Sequence, residues 1–300
     1  MPTLFVSRAR LIRRPVEEVF ALVWRFENWP RWSPWLVAAP GFELAFEEKA
    51  ISWAGEACGE GRMEIVEEDG PAVIDFELTT RKPHRSRAAV TFTFEEKDGG
   101  TEVSWLLAGK LPVYRFWMKW SLQRKIGAEY ERGLRMLQDL AEDGVVRSRV
   151  EVPGREGCAP FFGVGIRRTV AMDDLAGQME EDYREVREHY PDGEAMTIYH
   201  KRCLKKQRVS YLTGVRLERM PGVVADGMEL FEFPGSEVFT VRHFGEFYHL
   251  GNAWAGGMMH LHAKRLRADP KVKPFEVYEK LDDEDLVVRV CFPLKGRIER

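Results

Sequence analysis

The 300-residue chain carries 45 lysines and arginines against 48 aspartates and glutamates, with 44% hydrophobic and 31% charged residues. That composition fits ordinary globular domains and excludes a low-complexity or collagen-like polypeptide. A net charge of −3 supplies no overall basic field for nucleic acid or an acidic membrane, so neither is expected as a direct partner.

The length favours two domains, each able to bury its own core. No uninterrupted apolar run is long enough to span a bilayer. The opening MPTLFVSRARLIRR shows no apolar signal core followed by a small-residue cleavage site. Cys58, Cys158, Cys203 and Cys291 are scattered without a CxxC pair, which reads as reduced thiols and not as a disulfide framework or zinc site. A cytoplasmic protein is the expectation.

In chain order, LFVSRARLI predicts a strand and PVEEVFALVWRF a helix. Pro15 suits its first turn, Glu17 and Glu18 its positive end, and Val19, Phe20, Val23 and Trp24 its apolar stripe. Residues 42–108 predict several antiparallel strands. Val90, Phe92 and Phe94 alternate with Thr91 and Thr93, KDGG turns the chain, and Val103, Trp105 and Leu107 return on one face. A long helix is predicted over roughly 113–142, because Tyr114, Met118, Leu122, Ile126, Tyr130 and Leu134 recur every four residues. Gly127 and Gly133 inside it predict close backbone contact with a sheet.

Eight of the nine tryptophans precede residue 121, and a loop-like stretch covers 143–160, which places a domain boundary near 146. The expected domains are 1–146 and 147–300. Beyond the boundary the order of elements repeats. A strand over 160–170, a helix over 173–189 and strands over 194–201 and 208–218 come first. A strand over 236–244, a helix over 247–265, the strand KPFEVYEK and LVVRVCFPLK follow. Two βαββ units predict one antiparallel sheet with both helices on one face and a groove along their pseudo-twofold axis. The whole chain is thus expected to be α+β.

In KPFEVYEK, strand alternation puts Phe275 and Val277 on one face and Glu276 and Tyr278 on the other. With the first pair in the core, Glu276 faces either plain solvent or a cavity, and the pattern leaves both open. Among the histidines, His260 and His262 diverge on a helix, and His200 and His243 lack an acidic or cysteine partner at useful spacing, so no metal is expected. The segment YHKRCLKKQR, with Lys201, Arg202, Lys205, Lys206 and Arg208, reads as a solvated turn or an anion or partner site. The sequence holds no P-loop, no GxGxxG fingerprint and no GxSxG elbow, and no cofactor is expected.

Two resemblances sharpen this reading. GTEVSW (100–105), EYERGLRMLQDLAE (129–142) and WPRWSPW (29–35) are similar to the closing strand, terminal helix and tryptophan-containing loop of polyketide-cyclase/START-like (SRPBCC) domains. The likeness implies a helix-grip fold with an apolar cavity between sheet and long helix. Trp29, Trp32 and Trp35 then either line its mouth or plug the end of the core. YLTGVRLE (211–218), VFTVRHFGEFYHLGNAW (238–254), PFEVYEK (274–280) and VCFPLK (290–295) resemble a GyrI-like domain. That fold also serves as the effector-binding module of AraC-type and MerR-type bacterial regulators.

The second resemblance implies that Glu276 is the centre of a ligand groove walled by Tyr199, Trp254 and Tyr278. An acid beneath aromatic rings favours planar or cationic ligands. The implied function is binding of a small, hydrophobic or cationic, possibly xenobiotic molecule, for sensing or sequestration. Two alternatives follow from the same resemblance. One is hydrolysis of electrophilic small molecules with Glu276 as catalytic general base, and the other is a gyrase-inhibitor-like module that docks a protein partner. Neither end carries a helix-turn-helix signature, which departs from the DNA-binding regulators.

Overall fold

A computed structural model describes residues 3–110, 117–172, 174–203, 207–281 and 286–295, apart from the side chain of residue 202. The chain separates into two compact units, Met1–Ser148 and Arg149–Arg300. No helix among the described residues is long and apolar enough to cross a membrane.

In the first unit β1 (Thr3–Ile12) leads into α1 (Val16–Trp24) and two short helices, α2 (Trp29–Trp32) and α3 (Pro34–Ala38). Six strands then run as a meander: β2 (Phe42–Glu47), β3 (Ala50–Gly55), β4 (Gly59–Asp69), β5 (Val73–Lys82), β6 (Ser86–Lys97) and β7 (Gly100–Lys110). β1 pairs antiparallel with β7, giving the order β1-β7-β6-β5-β4-β3-β2. The long α4 (Lys119–Asp143) closes over this curved sheet, a helix-grip arrangement. Gly144, at φ 75°, ends α4 in the left-handed conformation and returns its N–H to the carbonyl of Leu140. Tyr114, expected on the stripe of α4, lies outside the described residues.

The tryptophan segment folds into α2 and α3 and not into an open loop, with Pro34 at the first turn of α3. Trp29 and Trp32 are buried. Trp105 of β7 stacks on Tyr130 of α4 with centroids 3.9 Å apart, and Trp32 meets Trp105 edge-on at 5.6 Å. Phe76 and Phe92 complete the packing around Trp29. These rings therefore plug the end of the core between sheet and helix. Trp29 and Trp32 do not line a mouth, because each is buried against at least three other aromatic rings, and the half-buried Trp35 packs edge-on against Trp105 and Tyr130.

The second unit carries an eight-stranded sheet. Its elements are β8 (Ser148–Cys158), β9 (Phe161–Ala171), α5 (Leu175–His189), β10 (Glu194–Cys203), β11 (Arg208–Leu217), β12 (Glu229–Phe233), β13 (Ser236–Gly245), α6 (Gly251–Ala263), β14 (Phe275–Lys280) and β15 (Val287–Pro293). The strand order is β12-β9-β11-β10-β14-β15-β13-β8. Both helices pack on one face: Met179 and Asp182 of α5 reach Tyr199 of β10 and Tyr211 of β11, and Trp254 of α6 reaches Glu276 of β14. The opposite face is a core of Phe161, Met196, Phe233, Phe275 and Cys291.

Two strands correct the sequence reading. The stretch 143–160, loop-like in sequence, contains the eleven-residue β8, and the Pro/Gly passage after β11 contains β12. Both are edge strands. An edge strand tolerates Pro153 and Gly154, and the apolar alternation is short in both, Val150 with Val152 and Phe231 with Phe233, which leaves little to read. Helix limits also differ: α6 starts at Gly251 after a 3-10 turn over Phe247–His249. Residue 173, the start of the helix predicted over 173–189, lies outside the described residues.

Candidate functional site

β14 runs between β10 and β15, with Glu276 opposite Thr197 on one side and Val290 on the other. Alternation turns Phe275 and Val277 into the core beneath the sheet and Glu276 and Tyr278 toward the helices. Glu276 is fully buried there. The helix above is seated closely because Gly257 has no side chain: a Cβ at that position would meet the Phe292 ring at 2.1 Å. This brings the Trp254 ring against Phe292 and its indole over the acid.

The four residues anticipated from sequence meet at one point. Trp254 Nε1 donates to Glu276 Oε1 at 2.5 Å. Tyr278 and Tyr199 hydroxyls donate to Oε2 at 2.8 Å and 3.1 Å. Tyr199 and Trp254 contact each other edge-on, with centroids 5.3 Å apart. A further layer continues from Tyr278 to Thr197 Oγ1 at 3.5 Å, and from Thr197 to Thr213 at 2.7 Å.

Burial pushes the Glu276 carboxyl up to about 7, although the three donors from Trp254, Tyr278 and Tyr199 favour its charged form. Among the described residues no cation is ion-paired with it. The Tyr278 hydroxyl is itself pushed well above its ordinary value by burial and by the neighbouring carboxylate. The acid is thus held near neutrality, able to carry a charge or a proton at physiological pH.

A cavity of about 400 Å³ opens beside this cluster. Met179 and Tyr183 of α5 form one wall, Phe247 another, and Thr213 and Tyr278 stand on its floor. Tyr278 faces the cavity directly, and Tyr199 reaches it through the Met179 sulfur at 3.9 Å. Glu276 lies behind Tyr278, closed to solvent, and not at the open centre of the groove. Of the cavity residues, Met179 and Tyr183 fall within the helix predicted over 173–189 and Phe247 at the start of the one predicted over 247–265, with nothing in their spacing to mark a site.

A second buried acid was missed. Asp182 of α5 receives Tyr211 at 2.9 Å and Arg168 Nε at 2.5 Å. Tyr211 is the cross-strand neighbour of Tyr199, so the two acid clusters adjoin. The other sequence candidates stay apart. His243 is buried and lowered to about 4 by burial and by His249, and His260 stacks against Phe239. Among the described residues no group of three or more His, Cys, Asp or Glu side chains could hold a metal. The basic segment is not one turn: Lys201 is an exposed residue of β10 and Arg208 opens β11, while Lys205, Lys206 and the side chain of Arg202 lie outside the described residues.

Among solved structures, the chain is similar to protein CV1439 from Chromobacterium violaceum at 13% identity, over 46% of this chain and 97% of that one, with a TM-score of 0.37. It is similar to MLL2253 from Mesorhizobium loti at 15%, over 47% and 99%, with a TM-score of 0.38. The Aha1 dimer from Colwellia psychrerythraea matches at 11%, over 48% and 98%, with a TM-score of 0.37. No curated protein matches the chain. Residues 4–142 match the family described as polyketide cyclase/dehydrase and lipid transport, a likeness that points to a ligand-binding domain in the first unit.

Proposed function

We propose that this chain binds a small organic molecule in its second unit, to sense or sequester it, with the Tyr278 hydroxyl at the cavity and Glu276 behind it as the acid that holds that hydroxyl. The observation that carries this reading is a fully buried carboxylate held by three aromatic donors beside a 400 Å³ cavity. Leaving an acid without a cationic partner in such a place costs stability, a cost that a fold retains for function more readily than for packing. The order β9–α5–β10–β11 and then β13–α6–β14–β15 supports reading the unit as two βαββ repeats of a GyrI-like, effector-binding type. The family match over residues 4–142 supports a second ligand-binding domain in the same chain. A cationic or aromatic ligand suits the acid and its rings.

Thermal-shift screening with cationic, aromatic and electrophilic compounds tests this, followed by mass spectrometry of the hits. Hits recovered unchanged, with shifts lost in Glu276→Gln, support binding. A library without a single shift counts against it. One observation favours a second reading as hydrolase: a carboxyl near 7, hydrogen-bonded to the Tyr278 hydroxyl at the cavity, is suited to act as general base through that hydroxyl. Hits recovered as hydrolysed products, with turnover abolished in Glu276→Gln, would select that reading.

A further inference from the structure

The first turns of α4 present a face that the core does not use. Trp117, in the turn leading into the helix, and Trp120 are 68% and 75% exposed, whereas Trp32 and Trp105 of the same unit are fully buried. Trp117, Trp120, Ser121 and Arg124 follow at three- and four-residue steps, so they share the outward side, and all four are exposed. Leu122 and Ile126 turn the other way and pack against the core. Two large rings are thereby held in water by a helix whose inner side is already satisfied.

The charge carried by these turns has one sign. Lys119, Arg124 and Lys125 lie in the same turns, and none makes an ion pair among the described residues. The sequence holds no acid between Glu102 and Glu129, a stretch of 26 residues. The net charge of −3 averages this local excess away, which is why composition argued against an acidic surface. Indole rings beside cations suit the boundary between lipid headgroups and acyl chains. A symmetric dimer through this face would instead bring the same cations against one another. We infer that the Trp117/Trp120 face of α4 docks the protein on an anionic membrane surface.

The test is co-sedimentation of the full chain with phosphatidylcholine vesicles, with and without phosphatidylglycerol. Binding is expected to the mixed vesicles, weakening as salt rises, and not to phosphatidylcholine alone. Trp117→Ser/Trp120→Ser should weaken it about tenfold, and Lys119→Glu/Arg124→Glu/Lys125→Glu should abolish it. Trp120→Ser alone keeps the test decisive if the double variant does not fold. Absence of binding, equal binding to both vesicle types, or binding untouched by the tryptophan variants would overturn the inference. Self-association that Trp120→Ser removes, in a chain that ignores vesicles, would overturn it in favour of a second copy.

Discussion

The Trp254 indole and the Glu276 carboxylate are joined by a 2.5 Å hydrogen bond that ties α6 to the middle strand of the second sheet. Trp254→Phe keeps most of the ring and removes the donor. It should raise the Glu276 carboxyl further and cost about 1–3 kcal/mol at pH 8, where the acid is charged. Urea denaturation at pH 8 and pH 5 checks this, because the cost should shrink at pH 5, where the acid is protonated.

Stability should carry the mark of Glu276. Its carboxyl sits at about 7 against an ordinary 4.5, so between these values the folded protein holds a proton that the unfolded chain has released. Its contribution is complete below pH 4.5 and is lost as pH rises through 7. His243 acts in the opposite direction: lowered to about 4 from 6.5, it favours the fold above pH 6.5 and loses this as pH falls through 4. The two slopes oppose each other between pH 4.5 and 6.5. Glu276→Gln removes the glutamate's falling slope, and between pH 4.5 and pH 8 it should gain about 3 kcal/mol relative to wild type. Denaturant melts across that range measure it.

Asp182 is expected to matter for the cavity wall. Asp182→Ala leaves the buried Tyr211 hydroxyl without its acceptor and frees α5 from Arg168. A loss of about 3 kcal/mol is expected. Hydrogen exchange should rise first in α5, which carries Met179 and Tyr183.

The two glycines inside α4 should respond oppositely to alanine. At Gly133 a Cβ would meet Trp105 Cζ3 at 2.7 Å and Pro34 Cδ at 3.0 Å, both in the packed core. Gly133→Ala should cost about 1–3 kcal/mol. At Gly127 the obstacle is the end of the Arg8 side chain, which can swing aside. There the gain in helix propensity, up to about 1 kcal/mol, should make Gly127→Ala neutral or stabilising. Thermal melts of the two variants separate the cases.

Much of this architecture was legible because burial writes a period into the sequence. Val90, Phe92 and Phe94 alternate, and all three point into the core. The strands lost to sequence reading were β8 and β12, edges whose apolar alternation is only two residues long, Val150 and Val152 in one and Phe231 and Phe233 in the other. The meeting of Tyr199, Trp254, Glu276 and Tyr278 was another matter. No spacing joins residues from two strands and a helix up to 79 positions apart, and their grouping came from resemblance to a family. Asp182 escaped because an acid on a helix ordinarily faces water. Its position between Met179 and Val186, three and four residues from each, was the available sign that it points inward.

A carboxyl group starved of water should reveal itself by when it gives up its proton. With glutamate side chains labelled with carbon-13, and Glu276→Gln used to assign the resonance, NMR can follow that single carboxyl from pH 3 to pH 9. A midpoint close to 7 is the result this account predicts. A midpoint at the ordinary 4.5 would contradict it, since Glu276 would then be hydrated and Tyr199, Trp254 and Tyr278 would not enclose it.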